Sequence, residues 1–372
     1  MLVFGLARGG SFRYRTFKTL KQTMIRFPWG GADSPHFVLE LTDRCNISCR
    51  GCYKKTDGGI RPMERILEDI DQALARRRID TVSLAGAEPA LHPGLCEIVR
   101  HLRRRKVRVA LITNGLALDD DLLADLAASG LDVVMLHVDE GQSRPDLDDP
   151  ENPESVEALR AKLVRRVAAR GIGAGVSVTI YPEFFDRLPG LIDWIVRTEE
   201  IGFAFVTHYI APTELRANRG GKTTNGEVVR VLRESFGFEP FAGLRGGMAW
   251  ISYFIPVLYR NGHADPVRVR PGWGDALMVR LPRFLRGRHM YYSPPSAVAT
   301  AVQVLANSLF QFRFVPAFRF LSKLPGGRLV AKRIVFDDGS GGCGEHCPNP
   351  TLRGGEFVPV CKADLPSEPE RA

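Results

Sequence analysis

The sequence has no run of about 18 consecutive apolar residues, the length that a helix needs to span a bilayer. At the N-terminus, arginines alternate with aromatic residues where a secretory signal would have an apolar core. An internal repeat and a long low-complexity stretch are also absent. These absences argue against a membrane-spanning, secreted or repeat protein, and we expect a protein of the cytoplasm.

Cysteine is scarce, with seven residues in 372, and six of the seven fall into two tight groups. An odd number arranged in this way favours metal ligands over disulfides, as in a reducing compartment. The seventh, Cys96, stands alone in a predicted helix, and we interpret it as a small buried apolar residue.

The composition is that of a globular protein with a sizeable core, because 44% of the residues are hydrophobic and 25% are charged. The formal net charge is +9, with basic runs at 103–106 and across 268–333. Such a surface attracts anions, whether phospholipid headgroups, nucleic acid phosphates or an acidic substrate, although a solvated basic face explains the same excess.

Between residues 36 and 240, short β-branched or aliphatic runs alternate with longer helical periodicities. Strands are predicted at 37–42, 81–85, 107–113, 133–138, 175–180 and 203–209. Helices are predicted at 62–78, 94–105, 119–129, 153–170 and 185–199, and after Asn225. Six strand–helix units in a row indicate an α/β fold with a parallel sheet curved toward a barrel, in which the chemistry lies at the C-terminal ends of the strands.

The pattern divides the chain into four parts. Residues 1–35 are a basic, aromatic segment that packs on the protein or lies on a membrane, and residues 36–240 are the barrel. Residues 241–335 lose the regular alternation, and we interpret them as an added subdomain or substrate cover, with an apolar run at 250–259 and a helix at 297–310. Residues 336–372 form a C-terminal cysteine-rich segment.

The first cysteine group, Cys45, Cys49 and Cys52, lies within eight residues, directly after the first predicted strand. Thiolates at this spacing can ligate three irons of a cubane cluster, which leaves one iron without a protein ligand. A structural zinc site normally has four protein ligands, but a zinc knuckle stays open on the spacing alone.

Two further motifs follow the next two predicted strands: Gly-Ala-Glu-Pro at 86–89 and Thr-Asn-Gly at 113–115. Together with the C-x3-C-x2-C loop, they resemble the signature of the radical S-adenosylmethionine (SAM) superfamily. The resemblance implies a partial (β/α)6 TIM-type barrel of the radical SAM kind with an irregular C-terminal extension. It also implies a [4Fe-4S] cluster on the three cysteines, with SAM at the open iron. The residues that it places near SAM are Gly86, Ala87, Glu88, Thr113, Asn114, Ser177 and Thr179.

By the same resemblance, reductive cleavage of SAM forms a 5′-deoxyadenosyl radical that abstracts hydrogen from a substrate. The implied partners are that substrate and an electron donor such as flavodoxin or ferredoxin. In such enzymes the cofactor supplies the chemistry, while the protein positions the substrate and excludes competing reactions.

Two positions depart from the superfamily pattern. Gly51 precedes the third cysteine, where many members carry an aromatic residue that meets the adenine. Ala87 replaces the second glycine of the SAM motif, which is compatible with binding if this position does not need a positive φ.

Polar residues also end the fourth and fifth strands. The period of two places Ser177 and Thr179 on one face, where they bond the SAM ribose or make a structural hydrogen bond. His137 and Asp139 share a face where many members have Ser-x-Asp. We predict that Asp139 orients ribose or substrate and that His137 transfers a proton, with a structural role as the alternative for His137.

The second cysteine group contains Cys343, Cys347 and Cys361, and the glycine pair at 354–355 predicts a hairpin that brings the third toward the other two. This segment is similar to the SPASM and twitch extensions, which hold auxiliary iron–sulfur clusters, although a full SPASM domain has more cysteines. We therefore predict a second cluster. A Cys3His zinc site that includes His346 is the alternative.

The substrate is not defined by the sequence. Basic and aromatic residues alternate at 310–320, which indicates a lipid or other hydrophobic substrate and contact with a membrane surface, or a packed core element. A peptide is the other alternative, because the cysteine hairpin resembles those of peptide-modifying members. A zinc-stabilised basic nucleic-acid-binding protein would not explain the motifs at 86–89 and 113–115, so nucleic acid is not expected as a partner.

Overall fold

The computed structural model describes residues 24–27, 35–52, 54, 56–211, 222–244, 248–272, 275–276, 280, 284, 296–339 and 347–363. The strands are β1 (Ile25–Phe27), β2 (His36–Glu40), β3 (Thr42–Arg44), β4 (Ser48–Cys49), β5 (Asp57–Ile60), β6 (Thr81–Ala85), β7 (Arg108–Thr113), β8 (Val133–His137), β9 (Gln142–Ser143), β10 (Gly173–Ile180), β11 (Ile201–His208), β12 (Ala242–Leu244), β13 (Trp250–Arg260), β14 (His263–Pro266), β15 (Arg328–Asp337), β16 (Pro350–Arg353) and β17 (Glu356–Pro359). The helices are α1 (Met63–Arg76), α2 (Leu95–Arg104), α3 (Asp120–Ala128), α4 (Pro153–Ala169), α5 (Leu188–Arg197), α6 (Asn225–Phe236), α7 (Ala297–Phe310) and α8 (Phe314–Lys323).

Six parallel strands form the sheet that the sequence predicts, in the order β2, β6, β7, β8, β10, β11. Neighbours in this order are joined by helices, as right-handed strand–helix–strand units require. The predicted α/β barrel architecture is confirmed. It brings the C-terminal ends of the strands, and the loops that follow them, to one edge.

Local sequence explains where the helices begin and which face they bury. Helix α2 buries apolar residues at the spacing of one helical face, from Leu95 through Ile98 to Leu102. Helix α3 begins after Asp119, whose side chain accepts a hydrogen bond from the backbone of Leu122. The predicted helix at 185–199 differs at its start, because residues 182–187 form a 3-10 turn.

The sheet continues into the range 241–335, where the sequence indicates irregular structure. Strand β15 lies parallel to β11, and β13 pairs antiparallel with β15 over ten residues. Charged residues interrupt the apolar pattern of β15, so the sequence pattern does not predict this strand. One of them, Lys332, is fully buried, and its amino group donates to the carbonyls of Thr198, just after α5, and Ile201, at the start of β11. Whether the range is a separate domain stays a prediction.

The predicted hairpin at the C-terminal end is present as β16 and β17, which pair with Leu352 opposite Phe357. Strand β16 lies against β2. The ring of Phe357 lies 3.6 Å below the guanidinium of Arg77, and Arg353 forms an ion pair with Glu40. The hairpin therefore covers the open edge of the parallel sheet.

Within the residues that the structure describes, none of the helices combines the length and the apolar character needed to span a membrane.

Candidate active site

The barrel encloses a cavity of about 820 Å³ that reaches from one end of the strands to the other. This volume is in the range of ligand-binding sites. The predicted site residues that line it are Cys45, Cys49, Cys52, Gly86, Ala87, Thr113, Asn114, His137, Asp139, Ser177, Thr179 and Cys361. Residues predicted from separate strand ends are thus brought together around one space.

The loop with the first three cysteines is fixed by backbone hydrogen bonds. Strand β4, which contains Cys49, pairs with β9 in the loop after β8. The backbone N–H of Arg50 donates to the carbonyl of Gly141 at 3.0 Å, and that of Cys52 donates to the carbonyl of Cys49 at 3.2 Å. These bonds hold the cysteine loop above the ends of the strands.

The three thiols fit a cationic iron–sulfur group. None of them forms a disulfide. Burial, reinforced by the neighbouring thiol of Cys52, raises the pKa of Cys49 to about 12, and burial also raises the pKa of Cys45. Thiolates at these positions need a compensating cation, which a bound cluster provides.

The predicted SAM motif after β6 combines an obligatory glycine with a tolerated alanine. Gly86 has a φ of 121°, and a Cβ there would lie 2.5 Å from the carbonyl oxygen of Thr42. Ala87 is not among the residues with a positive φ. The alanine thus fits the backbone, as the departure from the superfamily pattern requires.

Glu88, predicted to meet SAM, is fully buried and does not line the cavity. Its carboxylate accepts hydrogen bonds from the hydroxyl of Thr113 at 2.7 Å and from the backbone of Asn114 and Ala90 at 2.8 and 2.9 Å. Burial raises the pKa of Glu88, and these hydrogen bonds oppose the rise. In this structure Glu88 joins the end of β6 to the end of β7.

Asn114 connects the end of β7 to the cysteine loop. Its amide donates to the side chain of Asn46 at 2.8 Å and lies 3.9 Å from the Sγ of Cys45. Its carbonyl accepts from Arg144, whose side chain is fully buried and also pairs with Asp146. Sequence reasoning missed Arg144, because nothing in its local pattern distinguishes it from a surface arginine.

At the end of β8, Asp139 is 1% exposed and holds the adjoining strand. Its Oδ2 accepts from the backbone N–H of Thr179 at 2.8 Å and lies 3.4 Å from the Nε2 of His137. The other ring nitrogen of His137 lies 3.1 Å from the carbonyl oxygen of Ser177. The predicted roles of these residues toward SAM stay predictions, whereas their contacts show that Asp139 positions β10.

Two tyrosines occupy the space beside Gly51. A Cβ on Gly51 would lie 2.8 Å from the hydroxyl of Tyr181 and 3.2 Å from the ring of Tyr209. The two rings are 5.1 Å apart, and both line the cavity. The aromatic residue missing from the cysteine loop is therefore replaced in space by rings from the ends of β10 and β11.

One member of the second cysteine group, Cys361, lines the cavity at its other end. The backbone N–H of Val360 donates to the carbonyl of Asn349, which places Cys361 beside the start of the hairpin. The Asn349 side chain in turn contacts His36, at the N-terminal end of β2, at 2.9 Å. Cys347 lies two residues before Asn349, whereas Cys343 and His346 lie outside the described residues.

Comparison with known proteins identifies the class. A family model described as "Radical SAM superfamily" matches residues 39–195. This chain carries a radical SAM domain, so the resemblance read from the three motifs is confirmed. The family implies a [4Fe-4S] cluster and SAM as cofactors, and the residues at the strand ends fit both.

Two curated relatives match a similar region. The chain is 28% identical over 171 residues to the tungsten-containing aldehyde ferredoxin oxidoreductase cofactor-modifying protein of Pyrococcus furiosus, covering 43% of this chain and 48% of the relative. It is 29% identical over 167 residues to the PqqA peptide cyclase of Streptomyces rochei, covering 43% and 44%. The chain thus spans less than half the length of either relative. Among solved structures, SuiB of Streptococcus suis bound to its precursor peptide SuiA has a TM-score of 0.42 and 16% identity, covering 60% of this chain and 48% of SuiB.

Proposed function

We propose that this protein is a radical SAM enzyme that modifies a peptide. The observation that carries the proposal is that three thiols from one loop share a cavity with the ends of β6, β7, β8 and β10. When bound, the cluster and SAM supply the one-electron chemistry that generates a 5′-deoxyadenosyl radical for hydrogen abstraction.

The role of the chain's own residues is to bind the cluster and SAM and to orient them. Cys45, Cys49 and Cys52 hold the cluster, and the close packing of Gly86 against Thr42 fixes the backbone that receives SAM. Asn114 keeps the end of β7 next to the cysteine loop. These contacts fix the cysteine loop and the strand ends relative to one another.

The tyrosine pair provides the aromatic surface that the cysteine loop lacks. Tyr181 is 3% exposed and its ring lies 5.0 Å from the guanidinium of Arg50, whereas Tyr209 is half-buried at the cavity wall. We assign the contact with the adenine to Tyr209. An aromatic ring is a suitable partner because every base has a π-face on which it can stack.

Anaerobic reconstitution tests the enzyme assignment. With SAM and a reductant, the wild-type chain should form 5′-deoxyadenosine, and the triple variant Cys45→Ala, Cys49→Ala, Cys52→Ala should form none. Cys96→Ala is the matched control, because Cys96 packs against the hydrophobic core on α2. Undiminished product from the triple variant, or zinc without sulfide in the wild type, would refute the assignment.

The peptide assignment draws on the names of relatives, since PqqA peptide cyclases of several organisms match this chain. Peptide and lipid fractions of a native cell extract can be added separately to the reconstituted protein. The peptide fraction should increase 5′-deoxyadenosine formation, and protease treatment should remove the increase. Stimulation by the lipid fraction alone would replace the peptide with a lipid substrate.

We further propose a second cofactor, an electron donor and a location for the protein. The hairpin cysteines hold an auxiliary iron–sulfur cluster, supported by the position of Cys361 in the wall of the same cavity. A flavodoxin or ferredoxin supplies electrons. The protein is located in the cytoplasm and makes a peripheral membrane contact, supported by the exposed apolar residues of α7 and α8.

A further inference from the structure

Helices α7 and α8 and their connecting turn expose large apolar side chains side by side. The exposed residues are Val298, Val302, Leu309, Phe310, Phe312, Phe314, Val315, Phe318 and Leu321, which we call the apolar patch. Outside this patch, the described residues expose only two other large hydrophobic side chains. Contiguous exposed patches of this kind mark interaction surfaces.

Helix α7 has its polarity reversed relative to an ordinary surface helix. Its buried face is mainly polar, with Thr300, Gln303 and Asn307 at or below 3% exposure, whereas four of its large apolar side chains are exposed. The amide of Asn307 donates to the carboxylate of Asp275 and to the carbonyl of Arg270, both at 2.6 Å. The buried polar groups fix this orientation, so the exposed apolar face is not a result of loose packing.

The tip of the helix pair presents the largest aromatic surface. Phe312 is 81% exposed and has a φ of 54°, a left-handed conformation that is uncommon for a bulky residue. Phe314 and Phe318 follow on α8, one helical turn apart, and are 61% and 73% exposed. Three phenylalanine rings thus project from one end of the patch.

The charged side chains that α8 itself contributes beside the patch are basic. Between Asp275 and Asp337 the sequence has ten Lys and Arg residues and no Asp or Glu. Lys332 and Arg333 are buried, whereas Arg319 and Lys323 are exposed on α8, where Lys323 also pairs with Asp265. Two copies of this surface would repel each other, whereas exposed apolar side chains next to basic ones suit an anionic lipid surface.

We propose that α7 and α8 dock this protein on the surface of anionic membranes, with the phenylalanines inserted at the headgroup boundary and the basic residues on the lipid phosphates. This proposal specifies which surface makes the peripheral membrane contact of the proposed function, and it does not depend on SAM cleavage. It would place the enzyme next to a membrane, where an apolar or membrane-associated substrate is concentrated.

Vesicle flotation of the full chain tests the proposal. The probes are vesicles of phosphatidylcholine alone and vesicles in which phosphatidylglycerol replaces a third of it. The wild type should float with the anionic vesicles, and rising salt should weaken this binding. Phe314→Ser with Phe318→Ser should weaken it by at least about tenfold, because each ring buries apolar area in the membrane.

Charge variants provide the matched comparison. Arg319→Glu should weaken binding to the anionic vesicles, whereas Arg230→Glu on α6, where the arginine side chain is 63% exposed, should not. Equal flotation of the wild type and the double phenylalanine variant would overturn the proposal, as would no flotation at all. So would a wild-type dimer that the double variant converts to a monomer, because the patch would then join two copies.

Formation of 5′-deoxyadenosine without vesicles, measured on the same preparations, separates this proposal from the proposed function. The double phenylalanine variant should retain that activity. Failure to bind vesicles together with normal SAM cleavage would reject the docking surface alone, and flotation without cleavage would reject the enzyme assignment alone.

Discussion

The first cysteine group and Cys361 of the second lie at opposite ends of one cavity and are held in different ways. The first is fixed by backbone pairing and by side chains from neighbouring strand ends, including Asn114 and the buried Arg144. Cys361 directly follows the hairpin, which contacts β2 through the side chains of His36 and Arg353. Strand β2 separates the two ends, and its five residues span about 13 Å at the usual rise per residue.

This difference indicates that the first site is part of the barrel, whereas the second is an attachment to it. Removing ligands of the first site should abolish chemistry, and loosening the second should leave the barrel folded.

Removing the thiols of the second cysteine group should eliminate one cluster and leave the chemistry of the first site intact. Cys347→Ala with Cys361→Ala should lower the iron content from about eight to about four per chain, as expected for loss of one cubane, while 5′-deoxyadenosine still forms. Iron and sulfide analysis together with product assay measures both effects. Loss of one zinc with unchanged iron would instead show the Cys3His site that the sequence left open.

Acid should weaken the contacts by which His36 joins Asn349, at the start of the hairpin, to Ser83 of β6. Burial lowers the pKa of His36 from 6.5 to about 4, so the unfolded chain binds a proton that the folded chain does not. The stabilisation is fully present above pH 6.5 and is lost as the pH falls toward 4, by about 3 kcal/mol in all. Hydrogen exchange of residues 350–359, corrected for the intrinsic pH dependence, should show this loss, and His36→Gln should remove it. Acid sensitivity unchanged in His36→Gln would assign it to another group.

Replacing the buried Arg144 should destabilise the strand ends around the first cysteine group. Arg144→Met removes donors to Gln142 and Asn114 and leaves the carboxylate of Asp146 without its partner. We expect the free energy of unfolding to fall by about 2 kcal/mol, as for hydrogen bonds to charged groups. Denaturant unfolding measures this, with Arg105→Met, an exposed partner of Asp71, as the control that should cost less than about 1 kcal/mol. Equal costs in both variants would show that Arg144 does not tie the strand ends together.

The smallest effect concerns the tyrosine beside Gly51. Tyr209→Ala should weaken SAM binding by about 1 kcal/mol, or about fivefold, and Tyr209→Phe should retain it. Gly51→Phe should also impair binding, because its Cβ would lie 2.8 Å from the hydroxyl of Tyr181 and 3.2 Å from the ring of Tyr209, and Tyr209→Ala in the same chain should restore part of the affinity. Equilibrium dialysis with the reconstituted protein measures all four. An unchanged affinity in Tyr209→Ala would place the adenine elsewhere.

Regular periodicity made most of the barrel predictable. The predicted strand at 81–85 has the same bounds as β6, and the helix at 297–310 has the same bounds as α7. Strand β15 was missed because Lys332 and Arg333 break its apolar pattern. The lysine is tolerated in the sheet only because it caps distant carbonyls, which no local pattern shows.

The class of chemistry follows from the amino-acid sequence, because three thiols, a Gly-Ala-Glu-Pro segment and a Thr-Asn-Gly segment follow three successive strands. Tertiary structure alone decided what surrounds them. It joined Glu88 to the next strand, filled the space beside Gly51 with two tyrosines and turned the apolar face of α7 outward. Each of these depends on contacts between segments far apart in the chain, and periodicity or spacing within one segment carries no information about such contacts.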